Sequence, residues 1–253
     1  MRLTILGATS PVPGPGEANP GYLLETNGER WLLDCGSGVI SRLQRYVPLS
    51  QLNGCLITHF HPDHIADLWT LSFGLGRLFL AGQREERFPI YVPPGYATVF
   101  WELTDRVGGF SSLFRSFLDL TEYRPHSTWL LGRTVAEFYP TGHPLAAHAI
   151  RLEGDRSLCY SGDATLHGEL VAAAAHVDLL LCEAGAPDAA QAEETHHLTA
   201  TMAAQVAAEA GVGELALTHF LSGEDRQAKV HEAARLFSGR CRAVREDDVI
   251  ALA

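Results

Sequence analysis

The chain has 253 residues, 46% hydrophobic and 19% charged, enough for one substantial core within a single domain spanning residues 1–253. Its formal net charge of −11 excludes a generic electrostatic footprint for nucleic acid, and its apolar stretches are too short to span a membrane. The 24 glycines and 13 prolines point to tight turns between short elements, hence to a mixed α and β fold.

The opening MRLTILGATS reads as a first strand, Leu3–Leu6, rather than a basic leader, and a cytoplasmic protein is expected. Tyr22–Thr26 and Arg30–Asp34 are strand-like, and Asn27-Gly28 near their junction is a strong hairpin signal. A short helical pattern covers Gly38–Tyr46, and the apolar strand Gly54–Thr58 runs straight into a histidine cluster. From Ile65 to Leu80 the apolar residues fit a helix poorly, interrupted by Gly74 and Gly76; packing on a sheet is the expected role. Gln83–Pro140 holds a Pro-Pro-Gly turn and many aromatics but no domain boundary.

The second half repeats the style of the first. Strands are expected near Thr134–Tyr139, Ala147–Leu152, Ser157–Ser161, Leu179–Cys182 and Glu214–Thr218, with a helix through Ala200–Ala210. Both halves run strands, a site at a strand end, then a helix, consistent with two similar halves stacked as a sandwich. Cys35, Cys55, Cys159, Cys182 and Cys241 stand singly with no CxxC pair and read as buried thiols.

The sharpest signal is Thr58-His59-Phe60-His61-Pro62-Asp63-His64, four potential ligands in six positions. In an extended segment His59 and His61 point the same way, while Pro62 redirects the chain so that Asp63 and His64 face a second point. That arrangement suits two adjacent cations; a His-rich surface turn is the bland alternative, but crowded imidazoles have few uses without a metal to share. Gly142-His143-Pro144, Ser161-Gly162-Asp163-Ala164 and Leu217-Thr218-His219-Phe220 each end a β-prone run at one further donor flanked by a turn residue.

Taken in order, HxHxDH, GH, SGD and LTHF resemble the successive metal-binding motifs of the metallo-β-lactamase superfamily, across almost the whole chain. The resemblance implies an α+β fold, the four-layer αββα sandwich, with the site at one edge of the sheets. It implies that His59, His61 and His143 bind a first metal, that Asp63, His64 and His219 bind a second, and that Asp163 bridges them. The nucleophile it implies is a hydroxide between the ions, which lower the pKa of bound water to about 7. Asp34, in WLLDCGSG, resembles an aspartate that accepts a hydrogen bond from a ligating imidazole; capping the Gly36-Ser37-Gly38 turn is the alternative. With no cysteine at a ligand position, the two divalent ions are read as zinc, with manganese or iron compatible.

His196-His197-Leu198-Thr199, with His197 lying 22 residues before His219, resembles the HST-type motif of the ribonuclease Z branch. On that resemblance the candidate catalytic residues are Asp63, His197 and Glu183. His197 contacts a scissile phosphate or protonates the leaving alkoxide, and Glu183 orients it; the alternatives are an exposed histidine and a structural carboxylate, and His196 is expected to be exposed. Only 20 residues separate His143 from Asp163, room for a strand pair but not for the long arm with which ribonuclease Z grips tRNA, so tRNA is not an expected partner.

The pattern therefore looks like the arm-less ribonuclease-Z-like hydrolases, and the expected activity is hydrolysis of a small phosphodiester, cyclic nucleotide or short RNA. Carboxylic ester, lactone or thioester hydrolysis is the second reading, with Trp69–Phe79 and Phe110–Phe117 lining an acyl pocket. A non-catalytic metal-binding scaffold or sensor is the third. A flavodiiron oxidoreductase is disfavoured, because His61 stands where that branch carries a carboxylate. His126, His148, His167, His176 and His231 are expected at the surface or in satisfied structural roles, with His126, Tyr123 and Arg124 forming a candidate lid. A homodimer is expected by resemblance, with Ile65–Leu80 as its candidate interface.

Overall fold

The computed structural model describes residues 1–252. Strands β1 (Arg2–Gly7), β2 (Gly21–Thr26), β3 (Glu29–Leu33), β4 (Gly54–Leu56), β5 (Phe88–Val92) and β6 (Leu118–Glu122) belong to a first sheet. Strands β7 (Thr128–Leu131), β8 (Thr134–Pro140), β9 (His148–Glu153), β10 (Ser157–Tyr160), β11 (Leu179–Glu183), β12 (Glu214–Thr218) and β13 (Arg240–Ala243) make the second, and β14 (Val249–Ala251) returns to the first. The orders are β14-β1-β2-β3-β4-β5-β6 and β13-β12-β11-β10-β9-β8-β7. Each sheet pairs its first four strands antiparallel and then adds parallel strands, so the two halves anticipated from the sequence share one topology.

Helices α1 (Val39–Leu43), α2 (Pro62–Ile65), α3 (Leu68–Leu80), α4 (Tyr96–Gly108) and α5 (Ser111–Phe114) come from the first half, and α6 (Gly168–Ala173), α7 (Ala189–Thr195), α8 (Ala200–Ala210) and α9 (Arg226–Ala233) from the second. Strand alternation explains the layering. Tyr22 and Leu24 of β2 face Phe138, Ile150 and Leu181 of the other sheet, whereas Leu23 between them packs with Leu71 and Phe100 of the helices. In the second half Leu180 and Cys182 pack outward with Ala203 and Val206 of α8. Three apolar layers between four structural ones make the αββα sandwich. Covered on both faces, β11 is buried along its whole length, the mark of an internal parallel strand.

Local chemistry fixes the joints. Asn27 and Gly28 adopt φ of 52° and 83° between paired Thr26 and Glu29, the backbone that the right-handed twist of a two-residue hairpin requires. The segment Ile65–Leu80 is better ordered than its sequence suggests. Its glycines do not interrupt α3 but let it approach neighbours: a Cβ on Gly76 would lie 2.8 Å from the Phe117 ring, and one on Gly74 2.5 Å from Leu49. Leu68, Leu71 and Leu75 face the core, while Phe73 and Leu80 are exposed. All five cysteines are free, four of them buried and Cys241 half-buried. Among the described residues no helix is long and apolar enough to cross a membrane.

Between His143 and Asp163 the chain forms only the hairpin β9–β10, paired from Glu153↔Ser157 to Ile150↔Tyr160. The segments following β3, β4, β10, β11 and β12 meet at one edge of the sandwich. There a bridge between Thr9 and Phe220 ties the exit of β1 to the segment following β12.

Candidate metal centre

His59 follows β4 in an extended segment, and His61 sits at the N-cap of α2 with Pro62 at the first helical position. Proline is well suited there because its missing N–H is one the helix leaves unpaired anyway. The turn it starts carries Asp63 and His64 away from His59 and His61, the redirection that the spacing predicts. His143, Asp163 and His219 arrive from the exits of β8, β10 and β12. His219 adopts φ of 63°, a left-handed conformation that costs a non-glycine residue roughly 1–3 kcal/mol. It is held by its flank: Phe220 N–H donates to the Ala8 carbonyl at 2.9 Å, and Ser10 N–H to the Phe220 carbonyl at 2.8 Å.

Donor atoms of His59, His61, His143 and Asp163 lie within 4.8 Å of one another, as do those of Asp63, His64 and His219. Asp163 faces both groups. Its Oδ2 is 3.2 Å from His59 Nε2, and its Oδ1 is 3.2 Å from His64 Nε2 and 3.0 Å from His219 Nε2. All seven residues singled out from the sequence therefore converge, in the grouping the resemblance implied.

The far edges of several rings are pinned, which sets the near edges. His64 Nδ1 donates to Asp34 Oδ2 at 2.7 Å, His143 Nδ1 to the His196 carbonyl at 3.2 Å, and His59 Nδ1 to Thr58 Oγ1 at 3.1 Å. Asp34 is fully buried and also accepts from Thr58 N–H, Thr58 Oγ1 and Tyr160 OH, each at 2.8 Å. Its partners are thus the ligand-bearing segment and the second sheet rather than the Gly36–Gly38 turn.

The inward-facing ring nitrogens crowd together. His59 Nε2 lies 3.1 Å and His143 Nε2 3.3 Å from His61 Nδ1, and His64 Nε2 lies 3.3 Å from His219 Nε2. Asp163 Oδ1 is buried without a well-aligned hydrogen bond although two imidazoles adjoin it. Imidazole nitrogens and carboxylate oxygens gathered this closely form a donor set that suits divalent cations. Electrostatics point the same way. Burial opposes charge on every ring, and His59, His61 and His143 are pushed below the usual imidazole range, His143 to about 4. Around His64 and His219 the carboxylates, Asp163 foremost, overcome burial and raise both, His219 to about 10. One half of the centre offers free lone pairs and the other draws positive charge.

His197 stands at the rim of the centre, one of its ring nitrogens lying within 4.8 Å of donor atoms of Asp163 and His219. Its Nδ1 donates to Glu183 Oε1 at 3.0 Å and stands 4.0 Å from Asp163 Oδ2. Glu183 is fully buried, and it also accepts the N–H of Ala164 at 2.8 Å and of Gly185 at 3.2 Å, so it binds together the segments that follow Asp163 and itself. Burial disfavours charge on His197, but the Glu183 hydrogen bond and the charges of Glu183 and Asp163 give it a raised pKa. His196 is exposed, and its carbonyl is the group that pins His143.

Sequence reasoning missed Ser10, whose hydroxyl donates to Asp63 Oδ2 at 2.5 Å, and the support of Asp34 by Thr58 and Tyr160. A serine before a proline gives no signal of such a role. Tyr123 is no lid residue: it is buried, stacks on Phe138 and donates its hydroxyl to the Ile57 carbonyl at 2.9 Å. His126 is exposed, its Nδ1 3.8 Å from Glu169. His148 departs from both anticipated roles, being buried with Nδ1 unpartnered. The aromatic stretches do not line the centre either, since Trp69 stacks on Phe100 and Phe73 packs on Phe110 and Phe114 in the outer helical layer.

A family model described as a beta-lactamase superfamily domain matches residues 29–220. The chain belongs to the metallo-β-lactamase superfamily. Within that superfamily, the probable metallo-hydrolase YhfI of Bacillus subtilis is 29% identical over 240 residues, covering 94% of this chain and 95% of the relative. Ribonuclease Z of Mycobacterium bovis is 31% identical over 273 residues, covering 95% and 94%. The crystal structure of YhfI matches with a TM-score of 0.90 at 28% identity over 98% of each chain. The short form of human tRNase Z matches with a TM-score of 0.75 at 23% identity over the full length of both, a likeness of fold. The chain is thus a metallo-hydrolase of the metallo-β-lactamase superfamily with ribonuclease-Z-like relatives, and its histidines and aspartates cluster for metal binding.

Proposed function

We propose that the protein is a dinuclear metal-dependent phosphodiesterase acting on a small phosphodiester. His59, His61, His143 and Asp163 would hold one cation, and Asp63, His64, His219 and Asp163 the other, with zinc the metal best suited to this nitrogen-rich donor set. When bound, two such ions stabilise charge on phosphoryl oxygens and lower the pKa of water enough for attack near neutral pH. The chain's own residues supply the rest. His197, its Nδ1 fixed by Glu183, presents Nε2 as the proton donor to the departing oxygen, and Glu183 and Asp163 outweigh burial to raise its pKa, which favours the protonated ring.

The observation that carries this reading is the 3.0 Å contact between His197 and buried Glu183 beside Asp163. An alkoxide leaves poorly without a proton, whereas the thiolate of a thioester needs none, so a positioned acid favours an oxygen ester, and a pair of cations suited to clamping attacking and leaving oxygens favours the phosphodiester among these. The test is a hydrolysis panel on metal-reconstituted protein, comparing bis(4-nitrophenyl) phosphate, cyclic nucleotides and short RNA with aryl carboxylic esters and thioesters. Turnover of the phosphodiesters is expected; turnover of carboxylic esters or thioesters alone would overturn the assignment. Full metal occupancy without hydrolysis of any ester would instead point to a scaffold or sensor.

A further inference from the structure

Two clefts open on either side of His197, and their walls constrain what an ester bound at the metal centre carries. The first has a volume of about 190 Å³ and reaches inward to His197 and His219. Pro11, Pro187 and Leu221 give it apolar walls, and its outer polar groups are the neutral side chains of Gln191 and Thr195. The second, beyond His197, is bordered by Leu166, Ala192 and Met202, and its acidic side chain is that of Glu193. Among the described residues, no lysine or arginine lines either cleft.

Resting on the phosphodiesterase reading, we propose that the first cleft is the subsite for one uncharged, ring-sized substituent of the substrate ester, and that the protein selects small diesters over oligonucleotides. Size and charge carry the argument. The volume falls below the ~300–1,000 Å³ typical of pockets that enclose a whole drug-sized ligand, so it takes one portion of a molecule whose phosphoryl group lies at the metal centre. An extended nucleic acid would place further phosphates along these walls, and phosphate tracking needs cationic side chains that neither cleft provides. Apolar walls instead reward a ring face, and Gln191 and Thr195 offer hydrogen bonds to neutral ring substituents.

Calorimetric titration of three phosphonates into the metal-loaded protein tests this without relying on turnover. Phenylphosphonate is expected to bind at least about tenfold more tightly than methylphosphonate, and 1,4-phenylenediphosphonate, which adds a second charge beyond the ring, at least about tenfold more weakly than phenylphosphonate. Leu221→Trp fills the cleft from a position that is 39% exposed. It is expected to abolish the ring preference and leave methylphosphonate affinity unchanged. Thr195→Arg, also at an exposed site, is expected to restore affinity for the diphosphonate. Methylphosphonate binding with no ring preference, or a ring preference that Leu221→Trp leaves intact, overturns the subsite while leaving the phosphodiesterase reading standing. Failure of every phosphonate to bind, alongside turnover of carboxylic esters, overturns the phosphodiesterase reading and the subsite with it.

Discussion

His197 Nδ1 and the backbone N–H of Ala164 converge on one oxygen of Glu183, at 3.0 and 2.8 Å. Ala164 follows Asp163 directly, so one buried carboxylate registers the candidate proton donor against the residue that spans the two ligand groups. The hydrogen bond at Nδ1 also fixes the orientation of the ring, leaving Nε2 as the edge that meets substrate.

His197→Ala is expected to keep both metal ions and to slow turnover roughly 10²–10⁴-fold, the range for loss of a general acid. Metal content per chain by mass spectrometry, measured beside kcat, separates this from damage to the centre. Equal rates in variant and parent would remove His197 from the mechanism, and loss of a metal ion would make it a ligand.

Asp163→Ala is expected to lose metal and nearly all turnover. Its two oxygens each face a different ligand group, so no neighbouring side chain replaces both. Its charge also holds His64 and His219 at raised pKa, and without it burial alone acts on those rings. Retention of two ions per chain in this variant would show that Asp163 does not join the groups.

Ser10→Ala tests the one donor found on Asp63 from outside the histidine cluster. Ser10 is itself fixed, through Ser10 N–H to the Phe220 carbonyl and Asn19 Nδ2 to the Pro11 carbonyl at 3.0 Å. Loss of a hydrogen bond that orients a ligand typically weakens metal affinity or activity about 10–100-fold. That effect is expected on one of the two ions only, read as a biphasic chelator titration, with partial rescue by Ser10→Thr. A monophasic titration identical to the parent's would assign Ser10 to packing.

The clustering of histidines and aspartates was legible because metal chemistry needs particular atoms, and His59, His61, Asp63 and His64 crowd into one short segment. The sandwich was legible through alternation, as in Tyr22, Leu23 and Leu24, where neighbouring side chains serve different layers. Contacts that depend on three-dimensional coincidence were not. Ser10 meets Asp63 across 53 residues and Asp34 meets Tyr160 across 126, and neither pairing leaves a periodic trace. The glycines of α3 misled for a related reason: weak helix formers locally, they are required by Leu49 and Phe117, which lie elsewhere in the chain.

His148 supplies a test of stability away from the ligands. It is buried on β9 with the Tyr123 ring at its edge, its Nδ1 has no partner, and burial, aided by the charge of His126, lowers its pKa from 6.5 to about 4. Between those values the unfolded chain binds a proton that the folded chain refuses, so stability rises with pH across the window. This contribution is fully present above 6.5 and is lost as pH falls through 4. A shift of this size corresponds to at most roughly 3 kcal/mol. Urea unfolding of parent and His148→Phe, with the same metal content and between pH 4 and 7, isolates the effect from the titration of the centre. The variant is expected to lose part of the acid sensitivity while retaining the contact with Tyr123. Parallel stability curves for the two proteins would mean that His148 takes up its proton in the folded state as readily as in the unfolded one.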